Sequence, residues 1–217
     1  MTGSVLVLCT ANVCRSIYTA AILDAALAPA GITACSAGLS ANPTRPCALV
    51  QRRAGKEGLA LLQEDSRQVH GDDIADADLV LVMTAPQRAT IARSAPSART
   101  RIFTLVEAAI IGTALADEGV QCASLRDYVG QLDLRRSSVD LPIAHDTKRV
   151  LGIVPRRSKH ARMAIGIEDG HVSPVRGEHE RSLDLVRQYS DQLIAAWSTQ
   201  PWFAGSSAEP AFPEPQA

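Results

Sequence analysis

Ser4-Val-Leu-Val-Leu-Cys9, Thr10-Ala-Asn-Val-Cys-Arg15 and Ser16 stand in unbroken succession, and their reading decides the fold. The first stretch is a short continuous apolar run, the pattern of a strand buried on both faces. The second is a polar loop. Ser16 then opens an Ala-rich stretch to about Leu27, with Ile17, Ala20, Ala21 and Leu23 on helical spacing, and Pro29 and Gly31 end it. The same alternation repeats downstream. Ile32-Thr-Ala-Cys-Ser36 reads as a second strand closed by Ala37-Gly38, and a loop with Pro43 and Pro46 leads to a helix over Cys47 to Gly58. Asp78 to Met83 is a third strand, Pro86 to Arg93 a helix, and Arg101-Ile-Phe-Thr104 a fourth strand. Strands alternating with helices imply βαβ units, hence an α/β fold: one open parallel sheet of about four strands with helices on both faces.

Outward from this half, residues 114–166 mix weak helical patterns with basic clusters at Arg135-Arg136, Lys148-Arg149 and Arg156-Arg157. They read as an extended, insertion-like segment of peripheral helices and loops. From Glu178 to Trp197 the pattern is clearer, because Leu183, Val186, Tyr189, Leu193 and Trp197 recur every three or four residues as an amphipathic helix that closes the domain. The expected organisation is a single domain over residues 1–200 and a disordered tail over 201–217, rich in Pro and Ser from Gly205 on. No internal repeat is visible.

The composition agrees with one globular domain: 217 residues, 46% apolar and 21% charged. Phe, Trp and Tyr together number only eight, so Ala, Val, Leu and Ile must build the core. Lys plus Arg number 22 against 23 Asp plus Glu, a formal charge of −1, which argues against a general binder of nucleic acid or anionic membrane. The longest apolar runs fall far short of the roughly 20 residues that span a bilayer, and Met-Thr-Gly-Ser lacks a basic leader, so a cytoplasmic protein is expected. The charge run from Arg149 to Arg162 reads as a solvated face rather than a partner site.

The cysteines are Cys9, Cys14, Cys35, Cys47 and Cys122, an odd count at irregular spacing. That is no secreted disulfide framework, and no Cys-x-x-Cys pair or Cys/His run suggests zinc, so neither metal nor cofactor is expected. Most of these thiols should be small buried apolar side chains. Cys9 has a reason to be otherwise. It ends a buried strand, a tight loop follows, and Arg15-Ser16 opens a helix whose unpaired N–H groups and partial positive charge form an anion cradle. Arg15 adds a planar fork suited to bidentate contact with an oxyanion, and the same positive surroundings favour the thiolate of Cys9. A nucleophile and an oxyanion site therefore share one loop, which suits a phosphate monoester or a similar tetrahedral oxyanion. Read on its own, Asn12 is a turn residue tolerant of positive φ, Ser16 a helix cap and Ser36 a turn serine.

Cys-x5-Arg-Ser after an N-terminal strand resembles the signature of the low-molecular-weight protein-tyrosine phosphatases. Ser36-Ala37-Gly38, Arg67-Gln68-Val69, Asp78 to Met83 and the closing helix stand in that family's order. The resemblance covers roughly Val5 to Leu105 and, less closely, Ile167 to Trp197. It implies that Cys9 is the nucleophile and Arg15 the phosphate holder, with Thr10, Ala11, Asn12, Val13, Cys14, Ser16 and Ser36 forming or supporting the loop. In the family the matching Asn holds the loop in shape, and the Ser16 hydroxyl stabilises the thiolate. Cys14 matches a second loop cysteine that can form a reversible disulfide with the nucleophile, the pairing of a redox sensor. The family has Gly before the Asn where this chain has Ala11, a departure that matters if the position requires positive φ.

The family's general acid is an Asp on a late loop, in an Asp-Pro pair before the last helix, and no Asp-Pro occurs here. Asp169 has the right position, with Gly170 in place of the proline; Asp140 and Asp146 are the alternatives. The resemblance implies a phosphocysteine mechanism with an aspartate acid and base, acting on phosphorylated protein or a small aryl phosphate. It further implies a monomer or weak dimer and a thiol reductant as possible partner, with no nucleic acid and no membrane. The aromatic wall that selects a phenyl ring is not evident, since Gly170-His171 stands beside the acid, while the apolar Val13 fits the tyrosine branch better than the phosphoarginine branch with its Thr. Arsenate reduction on the same scaffold and a phosphate-binding regulatory role without turnover are the competing readings.

Overall fold

The computed structural model describes residues 3–139, 165–171 and 177–203. The chain runs β1 (Ser4–Cys9), α1 (Arg15–Leu27), β2 (Thr33–Gly38), α2 (Ala48–Lys56), α3 (Gly71–Asp76), β3 (Leu79–Val82), α4 (Ala85–Ser94), β4 (Ile102–Thr104), α5 (Leu105–Asp117), α6 (Leu125–Arg135) and α7 (Glu178–Trp197). The strands form one parallel sheet in the order β2-β1-β3-β4. All strands expected from the sequence are present, shifted by a residue or two at their ends.

Each strand is apolar throughout because both sheet faces are covered. Val5 and Val7 of β1, with Leu79 and Leu81 of β3 and Phe103 of β4, enter the larger core beneath α1, α5, α6 and α7. Leu6 and Leu8, with Val80, Val82 and Ile102, turn to the opposite face, where Ile74 of α3 and Ile91 of α4 cover them. Alternate residues therefore serve two cores, and the period-two polar stripe of a half-exposed strand is absent.

Two parts of the second half differ from the expectation. Residues 125–135 are not peripheral: Leu125, Tyr128, Val129 and Leu132 of α6 are buried in the larger core. Ahead of it, α5 has Leu105, Val106, Ala108, Ala109, Ile111 and Leu115 buried, so it shows no amphipathic period by which a sequence pattern would reveal it. Its local signal is the capping box of Thr104 and Glu107. At the end of the chain, Trp202 and Phe203 belong with the domain, Trp202 lying edge-on to Tyr128 and Trp197. The remainder of the expected insertion and tail lies outside the described residues. Among the described residues, no helix is long and apolar enough to cross a membrane.

The order β2-β1-β3-β4 places the topological switch point between β1 and β3, where the direction in which successive strands are added to the sheet reverses. In open α/β sheets, ligands bind at the carboxyl ends of the strands flanking such a switch. Cys9 ends β1 at that edge.

Candidate active site

The loop after β1 is wound around the Cys9 sulfur. The backbone N–H of Asn12 donates to Cys9 Sγ at 3.2 Å, and Ser16 Oγ lies 3.0 Å from it. Ser16 Oγ already accepts from Asn12 Nδ2 at 3.0 Å, which leaves its own proton to donate to the sulfur. Ser16 thus sits inside α1 rather than capping it, and its hydroxyl faces the nucleophile.

Asn12 organises the loop. It is fully buried and the one non-glycine residue with positive φ, 55°, among the described residues. Asn tolerates this left-handed conformation better than most side chains. Its amide nitrogen donates to Ser16 Oγ and, at 2.9 Å, to Ser36 Oγ; its oxygen accepts from Gln63 Nε2 at 2.5 Å and the Arg67 N–H at 3.0 Å. Every hydrogen-bonding position of the amide is filled. Ala11 carries no positive φ, so its replacement of the family glycine introduces no backbone strain.

Neighbouring strands complete the frame. Leu39 N–H donates to the Cys9 carbonyl and Ser40 N–H to that of Thr10, at 2.9 and 2.8 Å. A Cβ on Gly38 would stand 2.9 Å from the Thr10 carbonyl oxygen and 2.8 Å from the Ala41 Cβ, so the Ser36-Ala37-Gly38 sequence ends in glycine because the loop backbone lies against it. Gln87 of α4 holds the loop from the other side, donating to Thr10 Oγ1 at 3.1 Å while its oxygen accepts from the N–H groups of Met83 and Thr84. Val13 offers its carbonyl to the Cys47 N–H at 3.1 Å.

Arg15 is buried, with its guanidinium bound at one end to the Ile167 carbonyl at 2.9 Å and at the other to Asp169 Oδ2 at 2.6 Å. The segment carrying Asp169 is fixed by Ile165 and Ile167 in the core and by the Ile167 N–H on the Met83 carbonyl at 2.7 Å. Ser182 of α7 accepts from the Gly170 N–H at 3.1 Å and donates to the Glu168 carbonyl at 2.7 Å. A Cβ on Gly170 would fall 2.2 Å from the Glu178 carbonyl oxygen, so glycine is required where this segment meets α7. Of the three aspartates considered, Asp169 lies beside Arg15; Asp140 and Asp146 lie outside the described residues.

Cys9, Ala11, Val13, Cys14, Arg15, Thr44, Asp169 and His171 line a cleft of about 240 Å³. Thr10, Asn12, Ser16 and Ser36 stand around it as support. No local motif marks Thr44, Gln63 or Gln87, whereas His171, which the sequence places beside the acid, lines the cleft. The sulfur of Cys14, expected to serve Cys9 as redox partner, faces Cys47 Sγ at 2.8 Å. Cys47 is at the N-terminus of α2 and lies 3.5 Å from His179 Nε2, while Cys14 lies 3.8 Å from His171 Nδ1. The hydrogen bond from Cys14 lowers Cys47 to about 5, helped against the cost of burial by the Val50 N–H and His179, and raises Cys14 in turn. The sequence carries no Cys/His run, yet the fold brings two cysteines and two histidines together.

Residues 4–111 match the family model described as low molecular weight phosphotyrosine protein phosphatase. The probable low molecular weight protein-tyrosine-phosphatase EpsP of Ralstonia solanacearum is 34% identical over 110 residues, 49% of this chain and 73% of that protein. Among solved structures, the YwlE arginine phosphatase of Geobacillus stearothermophilus superposes with a TM-score of 0.59 at 20% identity, covering 91% of this chain and 94% of that one. A low molecular weight protein tyrosine phosphatase from T. tengcongensis gives 0.56 at 19% identity, covering 89% and 98%. These two share the fold. Sequence identity over most of a relative's length and the architecture around Cys9 agree, and the chain belongs to the low molecular weight protein-tyrosine-phosphatase family.

Proposed function

We propose that this protein hydrolyses phosphate monoesters of the aryl type, phosphotyrosine in protein or a small aryl phosphate, through a phosphocysteine intermediate. The observation that carries the reading is the convergence of Cys9, Arg15 and Asp169 on one cleft, with an N–H and a hydroxyl directed at the Cys9 sulfur. Cys9 attacks phosphorus in line and the ester oxygen leaves. Arg15 and the loop amides hold the equatorial oxygens, donors in place before charge develops on them. Thr10, Ala11, Val13 and Cys14 supply loop backbone, and Asn12, Ser16 and Ser36 keep it rigid. Asp169 protonates the departing oxygen and then takes the proton of the water that splits phosphocysteine.

The ion pair between Arg15 and Asp169 adds a constraint. Substrate phosphate and the Asp169 carboxylate compete for one guanidinium, so phosphate binding frees Asp169 to turn toward the leaving group. Asp169→Asn should lower kcat for p-nitrophenyl phosphate about 10²- to 10³-fold, the range of a lost general acid. The same change should tighten inorganic phosphate as a competitive inhibitor about 5-fold, since removing the pair between buried Arg15 and partly exposed Asp169 releases roughly 1 kcal/mol. Gly170→Ala should cost about 10- to 100-fold in kcat, because the new Cβ meets α7 backbone and moves Asp169 by a fraction of an ångström or more. Steady-state kinetics on the reduced protein test all of this. Absence of aryl phosphate turnover in the wild type would overturn the reading. Arsenate-dependent thiol oxidation in its place would favour an arsenate reductase, for which the adjacent Cys14 and Cys47 are the supporting observation.

A further inference from the structure

Cys14, Cys47, His171 and His179 each present one donor atom, and these atoms all lie within 4.8 Å of one another. None of the four side chains has a part in the phosphatase chemistry, where Cys14 serves through its backbone, and the Cys9 sulfur is not among them. The donors come from four separate places: the nucleophile loop, the start of α2, the acid-bearing segment and the first turn of α7. Two thiols and two imidazoles are the ligand set of structural zinc. At zinc bond lengths of roughly 2.0 to 2.3 Å, tetrahedral donors stand roughly 3.3 to 3.8 Å apart. The cysteine–histidine approaches of 3.5 and 3.8 Å fall within that range, and the sulfurs, at 2.8 Å, need only move apart. The imidazole rings, 4.9 Å between centroids and 79° between planes, are spread rather than stacked, so one nitrogen of each can point inward. Cys14 is buried, Cys47 and His179 half-buried and His171 exposed, which leaves an entry path from solvent.

We propose that Cys14, Cys47, His171 and His179 form a tetrahedral site for Zn²⁺ at the rim of the catalytic cleft. Soft thiolates with imidazoles select zinc over the oxygen-seeking Mg²⁺ and Ca²⁺. With four protein ligands the site is closed, and its effect is mechanical. Cys14 adjoins Arg15 in the chain and His171 is two residues past Asp169, so the ion ties the acid-bearing segment to the phosphate-binding loop and both to α7. Binding to the folded state alone stabilises it by mass action.

The test uses the full chain carrying Cys9→Ser, which keeps the nucleophile from binding metal, prepared metal-free and reduced and titrated with Co²⁺. The expected result is one Co²⁺ per chain with the intense visible absorption of a tetrahedral ion and thiolate-to-cobalt charge transfer. One equivalent of Zn²⁺ should displace both signals and raise the unfolding temperature. Adding Cys47→Ser should remove about half the charge-transfer intensity. Adding His179→Gln should keep that intensity, and either change should weaken binding at least 10-fold, the lower bound found even for outer partners of a metal site. His179 is half-buried in the first turn of α7, so its variant keeps the test decisive if Cys47→Ser fails to fold. The pale spectrum of octahedral Co²⁺, or affinity unchanged by His179→Gln, overturns the proposal. So does a Cys14–Cys47 disulfide that forms in air as fast with one equivalent of Zn²⁺ as without, which would make the pair a redox couple. None of these readouts depends on phosphatase activity.

Discussion

Cys9→Ser is expected to lower kcat for p-nitrophenyl phosphate at least about 10⁴-fold, while inorganic phosphate still binds within a few-fold of the wild-type affinity. The two halves of this result have different causes. A serine oxygen can accept the Asn12 N–H and the Ser16 hydroxyl, so the loop keeps its shape, and Arg15 with its amides still holds the anion. What is lost is a sulfur that attacks readily as the thiolate, for which an alcohol is a poor substitute without an adjacent base. Losses of this order accompany removal of a nucleophile that works as part of a concerted group. Phosphate release from the aryl ester and competition by inorganic phosphate measure the two halves separately. Turnover within 10-fold of wild type would place the nucleophile elsewhere.

The second large effect falls on stability. Asn12→Ala removes four hydrogen bonds at a fully buried position and puts alanine at a φ of 55°. The left-handed conformation alone costs alanine roughly 1 kcal/mol. The stranded Arg67 N–H and the hydroxyls of Ser16 and Ser36 add the penalty of buried groups without partners, roughly 1 to 3 kcal/mol for each that cannot turn elsewhere. The sum expected is about 3 to 5 kcal/mol, or a fall of about 10 °C in Tm for a chain of this length. Asn12→Gly should recover only about 1 kcal/mol of that, since glycine accepts the conformation but restores no hydrogen bond. Denaturant unfolding of both variants measures the difference. Equal stability of Asn12→Ala and wild type would mean that the network does not hold the loop.

Reading the chain by its local signals reaches the nucleophile loop and stops short of its surroundings. Asn12 shows in the sequence as a turn residue, and its role as the hub of the loop comes from the family resemblance. The partners Gln63 and Arg67 lie 51 and 55 residues away, and nothing local marks Gln63. Asp169 was placed by its distance from the closing helix, and the structure adds its partner, Arg15. α5 carries no helical period because burial on most sides erases it, and α6 belongs to the core, with Tyr128 and Leu132 fully buried.

The sequence by itself determined the four strands, the direction in which they run, the loop from Cys9 to Arg15 and the helix that follows. These depend on near neighbours: apolar continuity makes a doubly buried strand, and the end of a strand before a helix makes an anion cradle. Only the tertiary structure decided that Cys14 meets Cys47 across 33 residues, His171 across 157, and that Cys47 meets His179 across 132. Those meetings follow from strand order and from the seating of α7 on α1 and α5, where packing of distant segments, not local pattern, sets what touches what.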